Sequence, residues 1–367
     1  MPLGPRPPHV VLALVTGVLP LLTSCGLFDG GSTLDDAFEY LPASTSQLQF
    51  SDREAMAERL HVDGIDPRSV DDADLDDYTH ALADKDSDPL ATTELTSYVA
   101  VMRDGPFNDF DVQWQARATW GEDPDSPDGT AFVWKVGDDL DFAALTDDLV
   151  DAAYKEGGTD DQPIYSNETS AVDPDTGLVG GHFPLAMVNV MLDEDEHLVV
   201  GSLSADALAA ISRVISDDAD SLADDGSLDD LVDAADGDPE TALVTAGGDD
   251  ACVGPASSLP PDLVDSYTDL GRPEARALLV SGKNADKVVV ALQYDDDDAA
   301  KADEDARKAF IEDGTDPLSQ RPIKDLGDFE VDRDGDLLLI EGDWAGGPRQ
   351  ALQAETSGGG PGLCVPG

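Results

Sequence analysis

Two stretches of the chain repeat one order of local patterns, and that order constrains the fold more than any other feature. In the first, FDVQWQARATW (Phe110–Trp120) alternates apolar and polar residues as a half-buried strand does, and TAFVWKV (Thr130–Val136) adds a second strand after a turn-rich loop. Phe142, Leu145 and Leu149 then mark one face of a helix that ends by Gly157. MVNVMLDEDEHLVVGS (Met187–Ser202) gives two more strands around an acidic turn. In the second stretch, EARALLVSG (Glu274–Gly282) and DKVVVALQY (Asp286–Tyr294) flank the turn KNA. The helix AAKADEDARKAFI (Ala299–Ile311) follows, and FEVDRDGDLLLIEG (Phe329–Gly342) again reads as two strands around an acidic turn. The copies agree in element order, not in residue identity. Strand-strand-helix-strand-strand, used twice, predicts the α+β class: mainly antiparallel sheets with helices packed on one face.

The remaining segments fit around this duplication. Leu48 and Phe50 alternate in a strand, and Asp52 is placed to cap a helix carrying Met56 and Leu60. Further helices fit Asp74–Ala83, Leu95–Met102 and Ser204–Ile215, and ETALVTAGG (Glu240–Gly248) fits a strand. These patterns divide the chain into a first α+β domain over 37–216, an acidic linker over 217–239 and a second α+β domain over 240–367.

Charge narrows the function classes. The chain carries 79 acidic residues against 21 Lys and Arg, a formal charge of −58. Nucleic acids and anionic membrane surfaces are both bound through positive charge, so neither is an expected partner. Such an excess also opposes compaction by self-repulsion, which salt relieves by shortening the Debye length from about 10 Å at 0.1 M to about 3 Å at 1 M. A salty habitat is the expectation. Yet 41% of residues are hydrophobic and fall in periodic blocks, so a folded protein with acidic loops is expected rather than a disordered one.

The amino terminus addresses the compartment. Val10–Leu22 is apolar apart from Thr16, too short for a comfortable membrane-spanning helix of about 20 residues, and preceded by Arg6 with no acidic residue before Asp29. Leu22-Thr23-Ser24-Cys25 resembles the bacterial lipobox, with Ser24 where Ala or Gly is usual. The resemblance implies that residues 1–24 are a lipoprotein signal peptide and that Cys25 becomes the acylated first residue of the mature chain. A flexible tether over 25–36 follows, and two acyl chains give stable anchoring where one binds only marginally. The alternative is an ordinary secreted protein with an incidental cysteine. Together with LPASTSQLQFSDR and the FDVQWQ strand, the lipobox is similar to uncharacterised extracytoplasmic lipoproteins of actinobacterial type. That resemblance supplies no catalytic residues.

Cys252 and Cys364 remain, an even number that suits an oxidising compartment. A bridge between them would fasten the Gly-rich tail to the body; two free buried thiols are the alternative.

Motifs for chemistry are few. EVDRDGDLLLIE (Glu330–Glu341) has the acid spacing of an EF-hand calcium loop, with Gly335 at its sixth position. Its first position is Glu rather than Asp, no helical pattern flanks it, and Asp334-Gly335 between apolar runs is a hairpin signal. A hairpin is the expectation, and no metal ligand is assigned. Asp295–Asp298 reads as solvated acid at a helix start. His61, His80, His182 and His197 form no zinc motif. Nucleophile-elbow, Ser-x-x-Lys, phosphate-loop and dinucleotide patterns are absent from the sequence. Asn167–Thr169 matches a glycosylation sequon by chance spacing. Trp114 and Trp120 share a strand face and, with Trp134, fit core packing; lining a ligand groove is the other use. No catalytic residue and no cofactor are assigned. The expected function is a lipid-anchored protein on the extracytoplasmic face of the cell membrane, non-enzymatic, binding a protein partner or serving the envelope structurally. A transporter's solute-binding lipoprotein is the alternative, with an anchored hydrolase behind it.

Overall fold

A computed structural model describes residues 32–66, 69–83, 93–121, 129–159, 162–168, 172–173, 176–226, 228–234, 238–247, 251–252, 269–281 and 287–364. The expected signal peptide, Cys25 and most of the expected tether lie outside them.

The α+β class holds: the described residues form a twelve-stranded antiparallel sheet with helices against it. In chain order, α1 (Thr33–Phe38), β1 (Thr45–Asp52), α2 (Arg53–Leu60), α3 (Asp72–Ala83) and α4 (Val99–Met102) lead into β2 (Val112–Trp120) and β3 (Gly129–Val136). Then come α5 (Phe142–Asp151), β4 (Lys155–Gly158), β5 (Pro163–Ser166) and the two-residue strands β6 (Leu178–Val179) and β7 (Phe183–Pro184). β8 (Asn189–Asp193), β9 (Leu198–Ser202) and α6 (Ala205–Ile215) complete the first half. The second half runs α7 (Leu222–Asp225), α8 (Asp229–Val232), β10 (Pro239–Ala246), β11 (Ala275–Ser281), β12 (Lys287–Gln293), α9 (Asp297–Asp313), β13 (Gly327–Asp334), β14 (Leu337–Trp344) and α10 (Gly347–Thr356).

The order across the sheet is β13-β14-β12-β11-β10-β1-β2-β3-β9-β8-β5-β4. Read outward from the centre, β10-β11-β12-β14-β13 and β1-β2-β3-β9-β8 are the same sequence of moves. Each half lays down three neighbouring strands, crosses through a helix, and adds its last two strands in reversed order. The duplication therefore extends one strand further than the sequence suggests, because β1 and β10 are equivalent. They pair with each other, antiparallel, from Gln47↔Thr245 to Ser51↔Thr241.

That pairing changes the domain picture. Strands from 37–216 and 240–367 join one sheet, and the chain from Ser32 onward clusters as one compact unit. Within the expected acidic linker, Ser221 caps α7, and Leu222, Leu228 and Leu231 are buried in the central core. Burial of each such side chain contributes about 1.5–3 kcal/mol, enough to hold an acidic segment against the sheet. The expected tether likewise ends early. Ser32 and Asp35 form a reciprocal capping box, and Leu34 and Phe38 enter the same core.

Helices cover both faces rather than one. Alternate strand residues face opposite ways. Ala116, Ala118, Ala131, Val133, Ala242, Ala277 and Ala291 pack with α1, α6 and α8 on the first face. Phe132, Trp134 and Val190 pack with α5 on the second, and Leu278, Val290 and Ile340 pack there with α9 and α10. The near-continuous apolar runs LVV, ALLV and VVVAL are the sequence counterpart of strands buried on both sides.

Local chemistry sets the helix starts. Asp52, Asp141 and Asp296 each accept a backbone N–H from the first turn, at 2.8, 3.0 and 2.8 Å respectively. Glu330–Glu341 is a hairpin, turning at Gly335 with φ of 59°. Extended backbone spreads Glu330, Asp332 and Asp334 about 6.8 Å apart in succession, instead of wrapping them around a point.

Candidate functional site

The duplicated halves place their closing helix on opposite faces of the sheet, and that difference opens a trough. The helix after the last strand of the first half, α6, lies on the first face with Leu208 and Ile211 in the central core. Its counterpart, α10, lies on the second face against β14, β12 and β11. Among the described residues the second face is therefore covered at both ends and open over the central strands.

The trough crosses β3, β2, β1, β10 and β11, which at the usual strand spacing is about 19 Å. It consists of two hollows of about 300 and 680 Å³ that share Gln47, Arg117 and Thr119. The smaller lies toward β10 and β11, walled by Glu355 and Thr356 of α10. The larger lies toward β3, between Phe132 and the segments bearing Glu94, Leu185 and Leu203.

The two ends differ in chemistry. At the α10 end, Arg276 is buried and ion-paired with Glu355, and also donates to the Glu355 backbone carbonyl at 3.2 Å. Glu355 in turn accepts the Gly362 N–H at 3.0 Å. Burial pushes the Glu355 carboxyl up and the Arg276 guanidinium down, while each partner's charge opposes the shift. At the junction of the two hollows, Arg117 is exposed, with its guanidinium carbon 5.5 Å from the centre of the Phe132 ring. Glu94 stands nearby; burial raises its carboxyl, and the Arg117 charge partly offsets that. Leu185 and Leu203 are 39% and 58% exposed, an apolar rim where soluble surfaces are usually polar. Gln115 beneath is committed to structure, its side-chain oxygen accepting from the Trp134 ring at 2.8 Å and the Glu94 N–H at 2.6 Å.

The residues singled out in the sequence fall elsewhere. Cys252 and Cys364 are joined in a disulfide with Cα atoms 5.5 Å apart. The bridge sits beside a buried polar network. Arg307 donates to Asp303 and to the carbonyls of Pro361 and Leu363, at 2.6 and 2.9 Å, so the tail is fastened by ion and backbone as well as by sulfur. Cys25 lies outside the described residues, as does Thr169 of the sequon. Trp114 and Trp134 are enclosed in the central and first-half cores, and Trp120, also buried, borders the larger hollow. The histidines are dispersed: His61 ends α2 in a left-handed conformation, His80 contacts the Asp76 carbonyl, His182 meets Asp148 at 2.8 Å and His197 approaches Asp138 at 3.8 Å. Among the described residues no group of three His, Cys, Asp or Glu side chains gathers to hold a metal, and no helix is long and apolar enough to cross a membrane.

Sequence reasoning missed the trough. Arg117 and Gln47 occupy alternate positions of amphipathic strands, where polar residues ordinarily face solvent, and only the placement of α10 and α6 shows that this polar stripe lies between walls.

No protein family matches this chain, and no curated protein matches it. Among solved structures, crystal form III of TP0453 is similar at 11% identity and a TM-score of 0.41, over 86% of this chain and 96% of that one. Crystal form I of TP0453 is similar at 9% identity and a TM-score of 0.39, over 87% and 96%. Both likenesses concern the course of the chain alone.

Proposed function

We propose that this chain is a lipoprotein of actinobacterial type, anchored through Cys25 to the extracytoplasmic face of the cell membrane, and that it binds a ligand or partner in the trough without transforming it. The observation that carries the binding reading is the trough itself, a walled hollow with a few convergent polar groups and an apolar rim. Its polar side chains are amides, hydroxyls, carboxylates and two arginines, Arg117 and the ion-paired Arg276, with no His or Cys among the described lining residues. The Ser202 hydroxyl donates to the Thr130 carbonyl at 2.7 Å and the Ser46 hydroxyl to the Thr119 carbonyl at 3.3 Å, so neither is paired with a general base as an activated nucleophile would be. Among the described residues the twelve-stranded and two-stranded sheets are both antiparallel, unlike the two parallel-sheet lobes expected of a transporter's solute-binding protein.

The test is photo-crosslinking in intact cells from a reactive amino acid placed at Gln49 in the trough, with Asp328 on the β13 edge strand as control. An adduct of discrete mass at 49, absent at 328 and recovered with the membrane fraction, is the expected result. Equal labelling at both positions, or none at 49, would contradict binding in the trough.

A further inference from the structure

Resting on that reading, we infer that the larger hollow takes an amphipathic anion: an unbranched apolar tail ending in one carboxylate, with the carboxylate on Arg117 and the tail along Phe132, Leu185 and Leu203.

Three observations converge. Arg117 is exposed at the junction of the two hollows, on the surface of a protein with 79 acidic residues, and its planar fork matches a carboxylate bidentately. The apolar part is contiguous with it. Phe132 lies directly beneath the guanidinium, and Leu185 and Leu203, two of the five exposed large apolar side chains among the described residues, rim the same hollow. A head with a single charge fits better than a phosphate dianion, because Glu94 shares the hollow and one guanidinium neutralises one charge.

The divergence of the two halves supports the assignment. In the second half, α10 closes over the sheet and its Glu355 occupies Arg276, so that arginine already holds a carboxylate. In the first half α6 lies on the other face, and among the described residues no salt bridge to Arg117 corresponds to the Arg276–Glu355 pair, which leaves its guanidinium to a carboxylate from outside the chain.

The test is calorimetric titration of the full chain in 1 M salt, where the Debye length of about 3 Å suppresses long-range repulsion of anions. The probes are dodecanoate, 1-dodecanol, dodecyl phosphate and butyrate, all kept below their aggregation limits. Dodecanoate is expected to bind one per chain, tighter than the alcohol or the phosphate, with butyrate undetectable. Arg117→Gln should weaken dodecanoate at least about 10-fold, as loss of a charge-assisted hydrogen bond does, and leave dodecanol unchanged. Glu94→Gln should tighten dodecanoate. Leu203→Asp should weaken dodecanoate and dodecanol alike, whereas Leu318→Asp, another exposed apolar site, should change neither. All these side chains are at the surface or half-buried, so folding is not at stake. Equal affinity for dodecanoate and dodecanol, indifference to Arg117→Gln, or several molecules bound per chain would overturn the inference. If dodecanoate fails while the cellular adduct at Gln49 forms, the ligand class falls and the binding reading stands. If dodecanoate binds but no cellular adduct forms, the binding reading falls while the chemistry of the hollow survives.

Discussion

Arg307 is fully enclosed, and what surrounds it explains why a Gly-rich tail is ordered. Its guanidinium meets the Asp303 carboxylate one helical turn away and two tail carbonyls, while Asp303 also accepts the Tyr294 hydroxyl and the Gly271 N–H. Removing one member leaves a buried charge without its partner. Arg307→Met should therefore cost about 3–5 kcal/mol in urea unfolding, and Arg307→Met with Asp303→Leu should recover much of it. A single-variant loss under about 1 kcal/mol would show that the network is not holding the tail. None of this could be read from the sequence. An Arg and an Asp four apart on an acidic helix look like a solvent-exposed pair, whereas Tyr294, Gly271 and the docked residues 361–363 enclose them.

At the scale of elements, legibility followed periodicity. β2, β3, β8, β9 and β11 to β14 alternate or run apolar without a break, and the strand pattern found all of them. What stayed hidden had weak or mixed signals. β4 is KEGG, a four-residue exposed edge strand without an apolar residue, held by pairing with β5. α7 and α8 lie in an Asp-rich stretch whose leucines are too sparse to show a period. α10 begins Gly-Pro and carries few apolar residues, yet Ala351 and Leu352 reach the core, and it closes half of the trough. The hairpin at Gly335 gives a local test. Its φ of 59° suits glycine, so Gly335→Val should cost about 1–2 kcal/mol and lower the Tm, whereas Gly335→Asn should be nearly neutral. Equal effects of the two would contradict the left-handed turn. The disulfide acts across elements. It joins residues 112 apart, and on the chain-entropy argument Cys252→Ser with Cys364→Ser should lose about 4–5 kcal/mol. An unchanged denaturation midpoint would show that the buried network alone suffices.

Over the whole molecule, acid repulsion dominates the dependence on conditions. With a formal charge of −58, Tm should rise between 0.1 and 1 M salt; a flat response would remove the case for a salt-adapted surface. The pH response follows from particular carboxyls. Burial raises Asp36, Glu39, Asp52, Glu94 and Asp233, and neighbouring acids add to the rise for Asp36, Glu39 and Asp233. A carboxyl raised on folding binds more protons in the folded state. Its contribution is full below the ordinary carboxylate range and is lost as pH rises through the raised value. Stability should therefore increase as pH drops from neutral toward the ordinary carboxylate range, and a Tm that falls on that approach would contradict these assignments. The α+β class was legible from element order. The joining of both halves into one sheet was not, because strand patterns carry no record of which strand lies beside which, and β1 meets β10 across nearly 200 residues. The trough is a property of that assembly, which is why no short motif announced it.

The proposed compartment and the proposed membrane-bound role both rest on Cys25. Mass spectrometry of the amino-terminal peptide of the chain isolated from its own cells tests this most directly. The account predicts a peptide beginning at Cys25 and carrying diacylglyceryl on its sulfur. An unmodified peptide beginning at any other residue would contradict it.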